Sequence, residues 1–162
     1  MESAPFVPDD IYSDETTENL LVGIAHVPVP GELFISGWWA PLENVFDLVV
    51  AIGPPKYAIY DYLSMSTVYY EIPDENTAAA KDAMSKVADL ICIRVKKSLD
   101  ANERVLVHCY AGVSRSATVV LHYMMNYAFP EKRTLDACFA ALQSVRPCIN
   151  PEHVFIDFLQ GK

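Results

Sequence analysis

The sequence predicts an α/β fold in which a central, mostly parallel sheet of about five strands is flanked by helices. Two observations carry that expectation. Short apolar runs of β type alternate with helical patterns, and one run has the unbroken apolar character of a strand covered on both faces. No internal repeat or low-complexity linker interrupts the alternation, so the 162 residues read as one domain, large enough for a proper core.

Residues 1–25 stand apart as an acidic arm. Glu2, Asp9, Asp10, Asp14, Glu15 and Glu18 fall within the first twenty residues, with no Lys or Arg among them. The domain proper is expected to span 26–162. Tyr12, in "DDIYSDE", is a candidate phosphorylation site; the plainer reading of its surroundings is a solvated acidic tail.

Four strands are legible. Glu32–Gly37 follows the breaker Pro30-Gly31, and Asp47–Gly53 is the continuously apolar run. Val68–Ile72 is closed by Pro73, and Arg104–His108 runs into a loop of small residues. A helix is expected from about Thr77 to Leu99, its inner stripe marked by Met84, Val87, Ile91 and Val95 at spacings of three and four. A core helix should run from Ser116 to about Tyr127. A third should begin near Thr134, with Leu135, Cys138, Phe139, Leu142 and Val145 inward. Asn150-Pro151 reads as an N-cap and first helical residue opening a short last helix.

The charge balance is 12 basic against 21 acidic residues, a net of −9. It argues against nucleic acid or an anionic membrane surface as partner. No apolar run is long enough to span a bilayer, and the first residues carry no secretory pattern. The expected compartment is the cytoplasm, with the nucleus as alternative. Cys92, Cys109, Cys138 and Cys148 are then expected as reduced thiols. None lies in a CxxC pair or zinc-type cluster, so no metal or other cofactor is expected.

The chemistry gathers in "VLVHCYAGVSRSAT", residues 105–118. An apolar strand delivers His108 and Cys109 to a tight loop that opens a helix. The unpaired amides and dipole of a helix's first turn suit an anion there. Backbone N–H groups from Tyr110, Ala111, Gly112, Val113, Ser114 and Arg115 can line a nest for a tetrahedral dianion. Gly112 permits the curvature, and Arg115 offers a planar fork to two oxygens. Cys109 at the floor is placed where those groups favour a thiolate. Ser116 can donate a hydrogen bond to the sulfur, and His108 is expected to hold the loop through its ring. The bland alternative is an inert buried cysteine in a strand-to-helix turn.

Phosphoryl transfer wants a proton donor for the leaving oxygen. Asp74 in "EIPDEN" follows the third strand, and strand ends on one edge of such a sheet converge. Glu75 and Glu71 compete for the role, and Asp74 also reads as a turn or cap residue.

With "VLVHCYAGVSRSAT", "EIPDEN" and "SVRPCINP" in hand, the chain resembles the cysteine-dependent dual-specificity protein phosphatases over about residues 30–160. The resemblance implies a protein-tyrosine-phosphatase-like sandwich that works without metal or cofactor. Cys109 would be the nucleophile that forms a phosphocysteine. Arg115 would bind phosphate, Ser116 would aid breakdown of the intermediate, and Asp74 would act as acid and then as base. The short chain implies the shallow-site type, acting on phosphotyrosine and on phosphoserine or phosphothreonine in phosphorylated proteins.

The chain departs from the family at a longer Asp89–Arg104 connection, at Trp38-Trp39 and at Pro151-Glu152. It shows no upstream kinase-docking segment. The Trp pair reads as core or as a contact surface. The competing functions are a phosphatase of phosphoinositide or RNA 5′-phosphate, a rhodanese-like sulfurtransferase and a phosphopeptide-binding partner protein. The loop interior carries no lysine, which opposes a polyanionic substrate. A homodimer is neither required nor opposed by the sequence.

Overall fold

The computed structural model describes residues 23–37, 46–53 and 66–162. Chain pairing begins with a two-residue strand, β1 (Ala25–His26), antiparallel to β2 (Glu32–Ser36). The "LVVAI" run forms β3 (Leu48–Ile52), and all five of its residues are buried, as its lack of polar alternation predicts. β4 (Ser66–Tyr70) and β5 (Arg104–His108) complete a sheet of order β1-β2-β5-β3-β4. All neighbours except β1 and β2 pair in parallel.

The third legible strand was expected at Val68–Ile72 and runs two residues earlier. Ile72 is fully buried, which explains its apolar character, but its carbonyl goes to the Arg115 side chain rather than to a neighbouring strand.

Four helices follow among the described residues. α1 (Ala78–Asp100) is capped by Thr77, whose hydroxyl accepts from Ala80 N–H at 3.1 Å. Met84, Ile91 and Val95 are buried and Val87 packs at the core's margin. Most of the Asp89–Arg104 connection is the C-terminal half of this helix. α2 (Arg115–Asn126) buries nine of its twelve residues, as a core helix should. α3 (Leu135–Val145) is capped by Thr134, which accepts from Ala137 N–H. Cys138 and Leu142 point inward, with Leu135 and Phe139 against the core. Val145 does not: it is 41% exposed at the helix end.

α4 (His153–Leu159) begins later than the Asn150-Pro151 reading, with Glu152 at its N-cap. The backbone of residues 150–152 is engaged elsewhere: Asn150 N–H bonds to Val113 O at 2.8 Å and Glu152 N–H to Ser114 Oγ at 2.9 Å. The approach to the last helix is thus spent on holding the cysteine loop.

One core unites the helices with one sheet face, through Leu33, Ile35, Val50, Ile91, Leu121, Leu142 and Phe155 among others. A smaller cluster of Phe46, Val49 and Leu106 covers the other face. Each fully buried large aliphatic contributes roughly 1.5–3 kcal/mol of burial energy. The parallel strands end together, with Ser36 and Ala51 both beside His108 and Ile52 beside Tyr70. Everything leaving β5 and β4 therefore emerges at one edge. Trp38-Trp39, Tyr12 and residues 1–22 of the acidic arm lie outside the described residues.

Candidate active site

Cys109 leaves the C-terminal end of β5 and is 3% exposed. Its sulfur lies 3.2 Å from Ser116 Oγ, close enough for the hydroxyl proton to reach a thiolate. Ser116 is fully buried in the first turn of α2, so the hydroxyl is held against the sulfur.

The segment from Cys109 to Ser114 is held from outside by its carbonyls. The buried His108 ring lies with Nδ1 3.2 Å from Cys109 O, so the proton sits on Nδ1 and the carbonyl accepts it. Arg146 Nη2 donates to Ala111 O at 3.1 Å and Nε to Gly112 O at 2.8 Å. Asn150 N–H takes Val113 O, and Ser114 O accepts from both the Thr118 amide and its hydroxyl. Because a peptide's C=O and N–H point opposite ways, carbonyls bound on the outside leave the succeeding amides facing in. Gly112 adopts φ +70°, the left-handed turn that glycine takes without penalty. It also lies so close to the end of β2 that any Cβ would collide with Ser36 and Gly37 backbone.

Arg115 is 3% exposed. Its Nη1 donates to Ile72 O at 2.9 Å, and Nη2 is 4.0 Å from Asp74 Oδ2. A Cβ on Gly53 would stand 3.3 Å from Nη1, so the glycine at the end of β3 leaves room for the guanidinium. Nε is buried with no hydrogen-bond partner among the described residues. A buried guanidinium N–H without an acceptor costs stability unless something arrives to take it.

Asp74 stands at the rim, its side chain 47% exposed. Of the three candidate acids it is the one within ion-pair range of Arg115. Glu75 is exposed and accepts from Thr77 Oγ1 at 3.4 Å, and Glu71 is exposed at the end of β4. Asn76 fastens the segment to α4, its Oδ1 accepting from Val154 N–H at 3.0 Å.

Burial drives the His108 pKa down from 6.5 to about 4; its bond to Cys109 O opposes the shift and the Arg115 charge adds to it. The ring is thus neutral at pH 7 and acts through its hydrogen bond. All four cysteines are free. Burial raises the thiol pKa of Cys92, Cys138 and Cys148, which keeps these three protonated and unreactive. Among the described residues no cluster of three His, Cys, Asp or Glu side chains is placed to hold a metal. No helix there is long and apolar enough to cross a membrane.

The structure therefore brings Cys109, Arg115, Ser116 and Asp74 together over a loop formed by Tyr110, Ala111, Gly112, Val113 and Ser114. Arg146 was missed by the sequence reading. Its only signal was a single cation in an otherwise apolar "SVRPCI" stretch.

Comparison with known proteins agrees in fold and in family. Human DUSP28 superposes with a TM-score of 0.72 at 19% identity, over 85% of this chain and 90% of that one. The PTP-2 phosphatase of Cydia pomonella gives 0.71 at 21% identity, over 87% and 90%. A human tyrosine phosphatase-like serine/threonine/tyrosine-interacting protein also superposes, at 0.66 and 22% identity over 85% and 93%. Likeness of fold does not by itself fix an activity.

In sequence, a MAP kinase phosphatase with leucine-rich repeats of Dictyostelium discoideum is 36% identical over 160 residues, which is 94% of this chain and 18% of that protein. Mouse dual specificity protein phosphatase 1 is 42% identical over 60 residues, 37% of this chain and 16% of that one. The chain thus spans less than a fifth of the length of either relative. The family model for the dual specificity phosphatase catalytic domain matches residues 44–161. The chain belongs to the dual specificity phosphatase catalytic-domain family.

Proposed function

We propose that the domain expected at residues 26–162, which β1 extends back to Ala25, is a cysteine-dependent protein phosphatase hydrolysing phosphotyrosine and phosphoserine or phosphothreonine in proteins. The observation that carries the reading is the buried Nε of Arg115, without a partner among the described residues, in the same loop as a cysteine whose sulfur faces the Ser116 hydroxyl. A dianionic phosphoryl group supplies the missing acceptor and brings phosphorus to the thiolate.

In the first step Cys109 Sγ attacks phosphorus, the P–O ester bond breaks, and the leaving oxygen takes a proton from Asp74. In the second a water attacks the phosphocysteine, giving its proton to Asp74 carboxylate, and the S–P bond breaks. Ser116 Oγ–H then stabilises the departing thiolate. The loop amides and Arg115 hold the equatorial oxygens throughout. No metal or cofactor takes part in either step. The exposed position of Asp74 supports an open rim, suited to short as well as aromatic phosphoresidues. The absence of a cation inside the loop apart from Arg115 favours a singly phosphorylated residue over a phosphoinositide or an RNA end.

The test is phosphate release from phosphotyrosine and phosphothreonine peptides in EDTA. Turnover on both is expected, with Cys109→Ser lowering it roughly 10⁴-fold or more and Asp74→Asn roughly 10²-fold. Full activity in Asp74→Asn would transfer the acid role to Glu75 or Glu71. Phosphopeptide binding without turnover in the wild type would replace catalysis with a partner-binding role.

A further inference from the structure

Two buried arginines serve the loop, and only one faces the anion. Arg146, 3% exposed, lies behind the loop at the C-terminal end of α3. Its guanidinium bonds three backbone carbonyls: Ala111 O, Gly112 O and, through Nη1 at 2.9 Å, Gly23 O. No carboxylate pairs with it among the described residues.

We propose that Arg146 is a positioning residue of the phosphate cradle, fixing the Gly112 and Val113 amides toward the oxyanion by holding the Ala111 and Gly112 carbonyls from behind. The proposal rests on the phosphate-receptor reading of the loop.

The peptide plane supplies the reason. Ala111 C=O shares its plane with Gly112 N–H, and Gly112 C=O with Val113 N–H. A donor fixed to each carbonyl therefore sets the direction of the next amide. Without Arg146 both carbonyls would be buried and unsatisfied, and the cheapest repair is a peptide flip that turns them inward. An inward carbonyl would present negative charge to the incoming phosphate.

The side chain has to be arginine. Its rigid fork reaches two successive loop carbonyls and Gly23 at once, whereas a lysine ammonium is a single point. Gly112 completes the fit, since a Cβ there would stand 2.5 Å from Arg146 Nη2. The uncompensated charge acts in the same direction. Arg146 is buried with carbonyls only, which is costly for a cation: burial lowers its pKa from the ordinary value, and the charges of Cys148 and Cys109 oppose that shift. A thiolate and then a phosphoryl group in front of the loop provide the counter-charge that no carboxylate provides behind it.

The experiment has two readouts. In the Cys109→Ser protein, inorganic phosphate binding is measured by calorimetry, with and without Arg146→Met. In the protein with Cys109 intact, kcat and KM for para-nitrophenyl phosphate are measured for wild type, Arg146→Met and Arg146→Lys. Phosphate affinity should fall roughly tenfold and kcat roughly 10²-fold in Arg146→Met, the size of losing oriented oxyanion donors. The kcat loss should exceed the KM rise, because the amides grip the transition state more strongly than the substrate. Arg146→Lys should recover only part of this, and it replaces the methionine variant if that protein does not fold. Ile91→Ala, a core change remote from the loop, should lower stability and leave kcat and phosphate affinity within about twofold.

A folded Arg146 variant with wild-type phosphate affinity and kcat would overturn the proposal. Arg146-dependent phosphate binding without turnover in the wild type would overturn catalysis but support the cradle. Neither binding nor turnover in the wild type would overturn both.

Discussion

Two loops meet at the Arg115 guanidinium, and they are held in opposite ways. In the cradle, the carbonyls of Cys109, Ala111, Gly112, Val113 and Ser114 each have a donor, drawn from β5, α2, α3's end and the approach to α4. Among the described residues, the acid segment from Ile72 to Asn76 has few anchors: Ile72 O on Arg115, Asp74 near Arg115 and Asn76 on α4. Asp74, Glu75 and Asn76 are exposed. The difference suits the two tasks proposed for these segments. Oriented amides act on developing charge only if they do not reorganise during the reaction. A proton donor must admit a leaving group and then a water at the same place, which an exposed and lightly held residue does easily.

The largest effect that separates the two regions should come from Gly112→Ala. The new methyl meets Arg146 Nη2, Ser36 C and Gly37 N at 2.5, 2.6 and 2.7 Å, on a backbone at φ +70°. Two of these neighbours are main chain and cannot step aside. Left-handed strain and overpacking together are expected to cost roughly 3–5 kcal/mol, read as a fall in urea midpoint, with turnover lost in whatever protein still folds. If stability and turnover both stay near wild type, the cradle has slack that its hydrogen bonds do not reveal.

His108 gives a second way to test rigidity, through pH. Its pKa is about 4 in the folded chain and about 6.5 when unfolded. Between those values the unfolded state binds the proton more readily. The stability from keeping a neutral buried ring is therefore complete above pH 6.5 and is lost as pH falls toward 4, by on the order of 3 kcal/mol. Unfolding of wild type and His108→Asn is to be compared from pH 4 to 8. The wild type should lose more stability than the variant across that window. Parallel curves would mean that the ring takes up its proton without disturbing the loop.

Much of this was legible in the residues, and what was not shares one cause. β3 could be read because burial on both faces forces an apolar run, and α1 and α3 because their inward apolar residues recur at helical spacing. Cys109, Arg115, Ser116 and Asp74 could be singled out as candidates because their side-chain types suit phosphoryl transfer, and the structure sets Cys109 against Ser116 and Arg115 near Asp74. β1 is two residues long and is defined by pairing with β2, so it leaves no pattern. Ile72 looked like strand because it is buried, yet its backbone serves Arg115. The start of α4 was misread because residues 150–152 spend their amides on the loop. Arg146 went unseen because its partners are carbonyls, which every residue has. Interactions made by backbone are silent in sequence, and the cradle is mostly backbone.

The smallest effect probes the lightly held side. Asn76 Oδ1 receives Val154 N–H at the start of α4, an otherwise unsatisfied amide of a helix's first turn. The site is exposed, so water can replace the lost acceptor, and Asn76→Ala should cost about 1 kcal/mol or less in unfolding free energy. Its effect on turnover should be larger relative to that cost than for a core substitution, because Asp74 lies only two residues away and among the described residues is otherwise tethered through Arg115. A kcat lowered several-fold with nearly unchanged urea midpoint is the expected result. If Asn76→Ala instead destabilises the chain as much as Gly112→Ala does, the acid segment is part of the rigid frame. The contrast between a fixed cradle and a lightly anchored proton donor would then have to be given up.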